Sequence, residues 1–135
     1  MPGRIYATKV SRPTWQAGEM ADPIFHITTA GDWRSALEVG TYTAPSLADE
    51  GFIHTSTVDQ VPGTAERYYT EVPDLVLLVI DPDAVSAEIK WEEARPGDVY
   101  PHIYGELEPA AVIRVVPFGP QPDGTYVVPS EATGT

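Results

Sequence analysis

The chain has no cysteine, and that one absence removes several chemistries. It rules out disulfides, a thiolate nucleophile and any cysteine-held metal. A chain without disulfides suits a reducing compartment. Basic residues are scarce as well: 8 Lys and Arg stand against 20 Asp and Glu, a formal net charge of −12 at pH 7. An acidic surface with no basic stripe repels nucleic acid and anionic lipid, so neither nucleic acid nor a membrane is expected as a partner. Long apolar runs are also missing. The longest, Leu75 to Ile80, is too short to cross a bilayer. The N-terminal stretch MPGRIYATKVSRPTWQAGEM lacks the apolar core of a secretory signal. The expectation is a soluble cytoplasmic protein, monomer or homodimer.

Motifs that announce a mechanism are absent too. No Gly-rich phosphate loop, GxSxG or HExxH occurs. The three histidines, His26, His54 and His102, stand far apart in sequence, without the close pair that a metal site usually shows. No metal is expected.

With 135 residues the chain reads as one domain. Residues 1–22 form an N-terminal extension without sustained periodicity, 23–129 the domain, and 130–135 a frayed tail. Ile24 to Ile27 reads as a strand, and Thr29 to Asp32 has the spacing of a helix cap. The helix that follows is expected to bury Trp33, Ala36 and Leu37 and to end at Gly40. Phe52 to His54 is a brief strand. Ser56 or Thr57 caps a helix to about Tyr69, with Pro62 separating its first turn. DLVLLVID, residues 74–81, suits a central strand buried on both faces. Further short strands are expected at Ile89–Glu92, Tyr100–Tyr104, Val112–Val116 and Thr125–Val128. Short strands outnumber helices, which gives an α+β fold: a small single domain with a mostly antiparallel, twisted sheet and two main helices.

Two stretches hold groups able to move protons. In GFIHTSTVDQ, residues 51–60, an apolar strand ends in His54, and Thr55, Ser56 and Thr57 lead into a helix. A helix N-terminus collects backbone donors and suits an oxyanion. The bland reading of His54 is a core histidine satisfied by its neighbours. In WEEARPGDVYPHIYG, residues 91–105, Pro96-Gly97 turns the chain so that the flanks form a hairpin. His102 and Tyr104 alternate onto one face of its second strand and make an acid/base pair. The bland alternative is a solvated polar face. Glu92 is placed to orient one of these groups, and Arg95 to anchor a carbonyl or carboxylate.

IFHITT, GFIHTST, DLVLLVID and KWEEARPGDVYPHIYGEL resemble, in order and spacing, an uncharacterised bacterial family catalogued as domain of unknown function 952. The resemblance spans about residues 23–118. It implies a fold similar to the ADP-ribosyltransferases, in which His26 and Thr28 resemble the first motif and the strand ending at His54 the second. Where those transferases present a tyrosine this chain has His54, and their late-strand glutamate finds no counterpart; Glu106 lies just beyond HIYG. The resemblance gathers His26, His54, His102 and Tyr104 around one cleft.

The expected function is therefore a cofactor-independent enzyme acting on a small-molecule metabolite by dehydration, conjugate addition, cyclisation or isomerisation, as in a biosynthetic pathway. His54, His102 and Tyr104 are its expected catalytic groups. His26, Thr28, Thr55 and Ser56 are expected to bind substrate, together with Arg67, Trp91, Glu92 and Arg95. The alternatives are an NAD-using transferase or hydrolase, as the fold resemblance implies, and a non-catalytic module that binds a metabolite or peptide.

Overall fold

A computed structural model describes residues 22–133. The N-terminal extension expected over residues 1–22 lies outside the described residues apart from Asp22. Strand β1, Ile24–Thr29, runs straight into helix α1, Ala30–Val39. Thr29 stays extended, and its Oγ1 accepts the Asp32 amide at 3.1 Å, the expected cap. Gly40, at φ 100°, ends the helix in the left-handed conformation that glycine adopts without strain. Trp33 and Ala36 are buried, but Leu37 is 55% exposed, against expectation. The helix packs along its Trp33–Ala36 edge, and Leu37 is rotated about 100° beyond Ala36.

Two helical segments follow, one of them unanticipated. Helix α2, Pro45–Glu50, starts with proline in its first turn and stops at Gly51, φ 91°. Strand β2, Ile53–His54, is short. A 3-10 turn, Val58–Gln60, carries a capping box in which Thr57 N–H donates to Gln60 Oε1 at 2.9 Å. Helix α3, Val61–Tyr68, then begins around Pro62, so the first turn is separate as the proline dictates.

Strand β3, Leu75–Ile80, sits between β1 and the later strand β6, Val112–Pro117, antiparallel to both. Its Leu75, Leu77 and Val79 enter one core with Phe25, Phe118 and Tyr126. Its Val76, Leu78 and Ile80 enter another with Trp33, Tyr42, Ile53 and Ile103. This is the doubly buried strand that the sequence implies. A second antiparallel sheet has the order β2, β5 (Asp98–Tyr104), β4 (Glu88–Arg95). The molecule is thus a small α+β domain with two three-stranded sheets rather than one. The sheets meet where Phe25 and Ser56 exchange backbone hydrogen bonds, both 2.8 Å.

Thr125–Val128 does not pair as a strand. Tyr126 anchors it instead, with its ring 5.6 Å from that of Phe118. The tail is not wholly frayed either: Ser130–Thr133 forms a helical turn, α4, and Ala132 is buried in the Phe25 core. Among the described residues no helix is long and apolar enough to cross a membrane.

Candidate functional site

The β2–β5–β4 sheet buries one face and presents the other. Ile53, Ile103, Ile89 and Trp91 point into the Trp33 core. Residues one step along point the opposite way, and a row of paired positions, His54, His102 and Lys90, crosses all three strands. Tyr100, Tyr104 and Glu92 flank that row on the same face.

Strand register decides which residues share this face. The hairpin closes with Arg95 opposite Asp98, but Glu92 pairs with Tyr100, so the register shifts by one residue between Glu93 and Arg95. With no shift, Lys90 would stand opposite Ile103 on the other face. The shift is what places Lys90 beside His102 and turns Trp91 away. Trp91, half-buried, therefore packs against the Trp33 core, on the face opposite Glu92 and His102.

Glu92 is the hub of the face. Its Oε1 accepts His102 Nδ1–H at 2.8 Å and the Tyr104 hydroxyl at 2.7 Å. A carboxylate in this pairing only accepts, so the proton of neutral His102 sits on Nδ1 and Nε2 carries the lone pair. Among the described residues nothing bonds that Nε2, and no buried side-chain nitrogen or oxygen lacks a partner, so it reaches solvent although the side chain is 7% exposed. Burial pushes the His102 imidazole below its ordinary 6.5, the bond to Glu92 works the other way, and the His54 charge adds to the lowering. At Glu92, burial works to raise the carboxyl. The hydrogen bonds from His102 and Tyr104, with the His102 and Lys90 charges, hold it below its ordinary 4.5.

His54 lies alongside, its side chain 52% exposed, with Nε2 3.1 Å from Glu50 Oε1. The two imidazole rings are 5.4 Å apart and nearly perpendicular. Phe52 touches both: it stacks on His102 at 4.1 Å and meets His54 edge-on at 4.8 Å. Lys90 Nζ sits 4.5 Å from the centre of the Tyr104 ring. Arg67 reaches the margin of the face from α3 by donating to the Tyr100 hydroxyl at 2.9 Å.

The other predicted residues take structural positions. His26 is 5% exposed and faces the interior of the Trp33 core, not the open face. Its Nδ1 lies 2.6 Å from the His54 carbonyl, which only accepts, so Nδ1 carries the proton and Nε2 accepts from the Tyr42 hydroxyl at 2.7 Å. Burial lowers His26 to about 4, so it is neutral near pH 7. Burial likewise raises Tyr42 to about 12. Thr28 Oγ1 lies 3.1 Å from the same Tyr42 hydroxyl. Thr55 Oγ1 donates to the Pro101 carbonyl, and Ser56 Oγ bonds Thr64 Oγ1 at 3.2 Å. Arg95 pairs with Asp98 at the hairpin turn, about 13 Å from the His102 row at 3.3 Å per residue.

Phe52, Glu50, Lys90 and Tyr100 were not predicted. Alternation from His54 would have found Phe52. Lys90 shares a strand face with Glu92, and both reach this face only through the register shift; Glu50 needed the turn at Gly51. A separate cleft of about 620 Å³ lies between α1 and α2, lined by Asp32, Ala36, Val39, Tyr42 and Leu47 among others. Its lining holds no imidazole, and His54 and His102 lie on the sheet face instead. Among the described residues no three histidines or carboxylates gather to hold a metal ion.

Comparison with solved structures places the same architecture elsewhere. The chain is similar to protein CC0527 from Caulobacter crescentus, whose X-ray crystal structure is 30% identical with a TM-score of 0.72, covering 82% of this chain and 98% of that one. The solution NMR structure of CC0527 is 28% identical with a TM-score of 0.68, covering 78% and 91%. No curated protein matches the chain. Residues 27–115, from β1 through β6, match the model of the family described as "Protein of unknown function (DUF952)", and the chain belongs to that family.

Proposed function

We propose that the protein is a cofactor-independent enzyme that works on a small molecule by general acid–base catalysis. The observation that carries this reading is the pair of imidazole–carboxylate couples, Glu92–His102 and Glu50–His54, with rings 5.4 Å apart on one face. Each carboxylate fixes one ring nitrogen and leaves the other for chemistry. His102, held in place and depressed below 6.5, is the base. His54, more exposed, is the acid. Tyr104 commits its proton to Glu92 and so positions the carboxylate instead of acting directly.

In a dehydration, His102 Nε2 takes the proton alpha to a carbonyl. The C–H electron pair becomes the C=C bond, and the hydroxyl leaves as water with a proton from protonated His54. Conjugate addition or ring closure runs the same steps in reverse, and isomerisation returns the proton to a different carbon. Acid–base groups of this kind contribute typically ~10²- to 10⁴-fold each. The test is a panel of β-hydroxy and α,β-unsaturated carbonyl compounds incubated in D₂O and followed by NMR. Turnover or deuterium incorporation is expected, and folded His102→Ala and His54→Ala should lose it by that factor. Folded variants that keep the wild-type rate would sink the reading.

A second reading, an ADP-ribosyltransferase-like fold using NAD, draws support from the two antiparallel sheets that abut at Phe25 and Ser56, each bearing a motif histidine. Against it, both ring nitrogens of His26 are taken up inside the core. A saturable thermal shift with NAD that His54→Ala abolishes would favour this second reading.

A further inference from the structure

We propose that the histidine face takes a small planar carboxylate, an aromatic or α,β-unsaturated acid, whose flat part lies against Phe52, the ring that covers His102, and whose carboxylate is held by Lys90; this rests on the acid–base reading of the same face. Lys90 stands opposite His102 in the ladder and is half-buried. Glu88 and Glu92 are its same-face neighbours along β4, yet among the described residues no carboxylate comes within ion-pair distance of its ammonium group. The group instead rests on the Tyr104 ring. Its charge is felt by Glu92, but with no carboxylate in direct contact the ammonium group keeps donors to offer an anion from outside.

The neighbouring groups are flat. Phe52 lies nearly parallel to His102, with 16° between the planes, and 5.2 Å from Tyr104. Aromatic faces reward a ligand that stacks over its whole area, and a puckered aliphatic ring meets them at a few atoms only. Glu92 is already committed to His102 and Tyr104, and its charge keeps the ligand carboxylate on the Lys90 side. That arrangement leaves the carbon skeleton over His102 Nε2, where the base acts.

The experiment titrates the ¹⁵N-labelled full chain with benzoate, cyclohexanecarboxylate and benzamide, reading the imidazole signals and the amides around residues 52–54 and 100–104. Benzoate is expected to bind saturably and at least tenfold more tightly than either control. Lys90→Met should weaken benzoate about tenfold or more and leave benzamide unchanged, and Lys90→Arg should restore it. If the Lys90→Met spectrum shows loss of fold, Lys90→Gln replaces it. Benzoate that binds no better than both controls, or that ignores the Lys90 substitution, overturns the proposal. The same spectra report the His102 ring. Failure of benzoate with His102 still an open-Nε2 base overturns the substrate class alone, whereas His102 found protonated on Nε2 sinks the acid–base reading itself.

Discussion

Acid should destabilise this domain early, and His26 is the reason. The ring is 5% exposed, donates to the His54 carbonyl, accepts from Tyr42, and titrates in the folded state at about 4 against an ordinary 6.5. A depressed pKa means that the unfolded chain takes up the proton first. The contribution is therefore intact above pH 6.5 and is lost as the pH falls from 6.5 toward 4. The full gap of about 2.5 units corresponds to ~3 kcal/mol, with about 2 kcal/mol already gone at pH 5. For a domain that stands about 5–15 kcal/mol above unfolding, this is a large fraction. The assay is urea unfolding followed by tryptophan fluorescence at several pH values between 7.5 and 4.5, for wild type and His26→Gln. The glutamine retains a donor and an acceptor but no titration. It should lower stability at pH 7.5 and flatten the slope between pH 7 and 5 by about 2 kcal/mol relative to wild type. Parallel slopes for the two proteins would refute the assignment of His26 as a buried neutral group.

Three further outcomes follow from packing. Gly105→Ala places a Cβ 2.8 Å from the Ala87 Cβ, which is fixed to its own backbone, so a loss of about 1–3 kcal/mol is expected in denaturant melts; a neutral result would mean that the strand end yields freely. Leu78→Ala empties a fully buried position on the central strand and should cost about 2–5 kcal/mol, read the same way. Tyr42→Phe leaves His26 Nε2 without its donor inside the core and should cost about 1–3 kcal/mol, with no change in the Trp33 environment by near-UV circular dichroism.

Much of the scaffold was readable from local chemistry. The central strand announced itself because six consecutive apolar residues satisfy a strand buried on both sides. Thr29 and Gly40 bracketed the first helix because caps depend on short-range hydrogen bonds and on φ. The site was readable only in part. His102 and Tyr104 fall together by alternation along one strand. Glu92 and Lys90, which share a face of the neighbouring strand, join them only through a one-residue register shift that the residues near Pro96-Gly97 do not advertise, and the same shift turns Trp91 inward. His26 looked like a site residue because burial is not visible in a motif. Thr125–Val128 has the composition of a strand, but Tyr126 fastens it by side-chain packing rather than by a ladder.

Acid–base chemistry on this face depends on the protonation of one ring, that of His102. Its imidazole ¹⁵N shifts across pH 4.5–8 should show the proton on Nδ1 and an unprotonated Nε2 at neutral pH, with a midpoint below 6.5. Because the Glu92 hydrogen bond opposes the lowering by burial, Glu92→Gln should move that midpoint lower still. A His102 that carries its proton on Nε2, or one that is fully protonated at pH 7, would contradict the claim that Glu92 holds it as the base of this face.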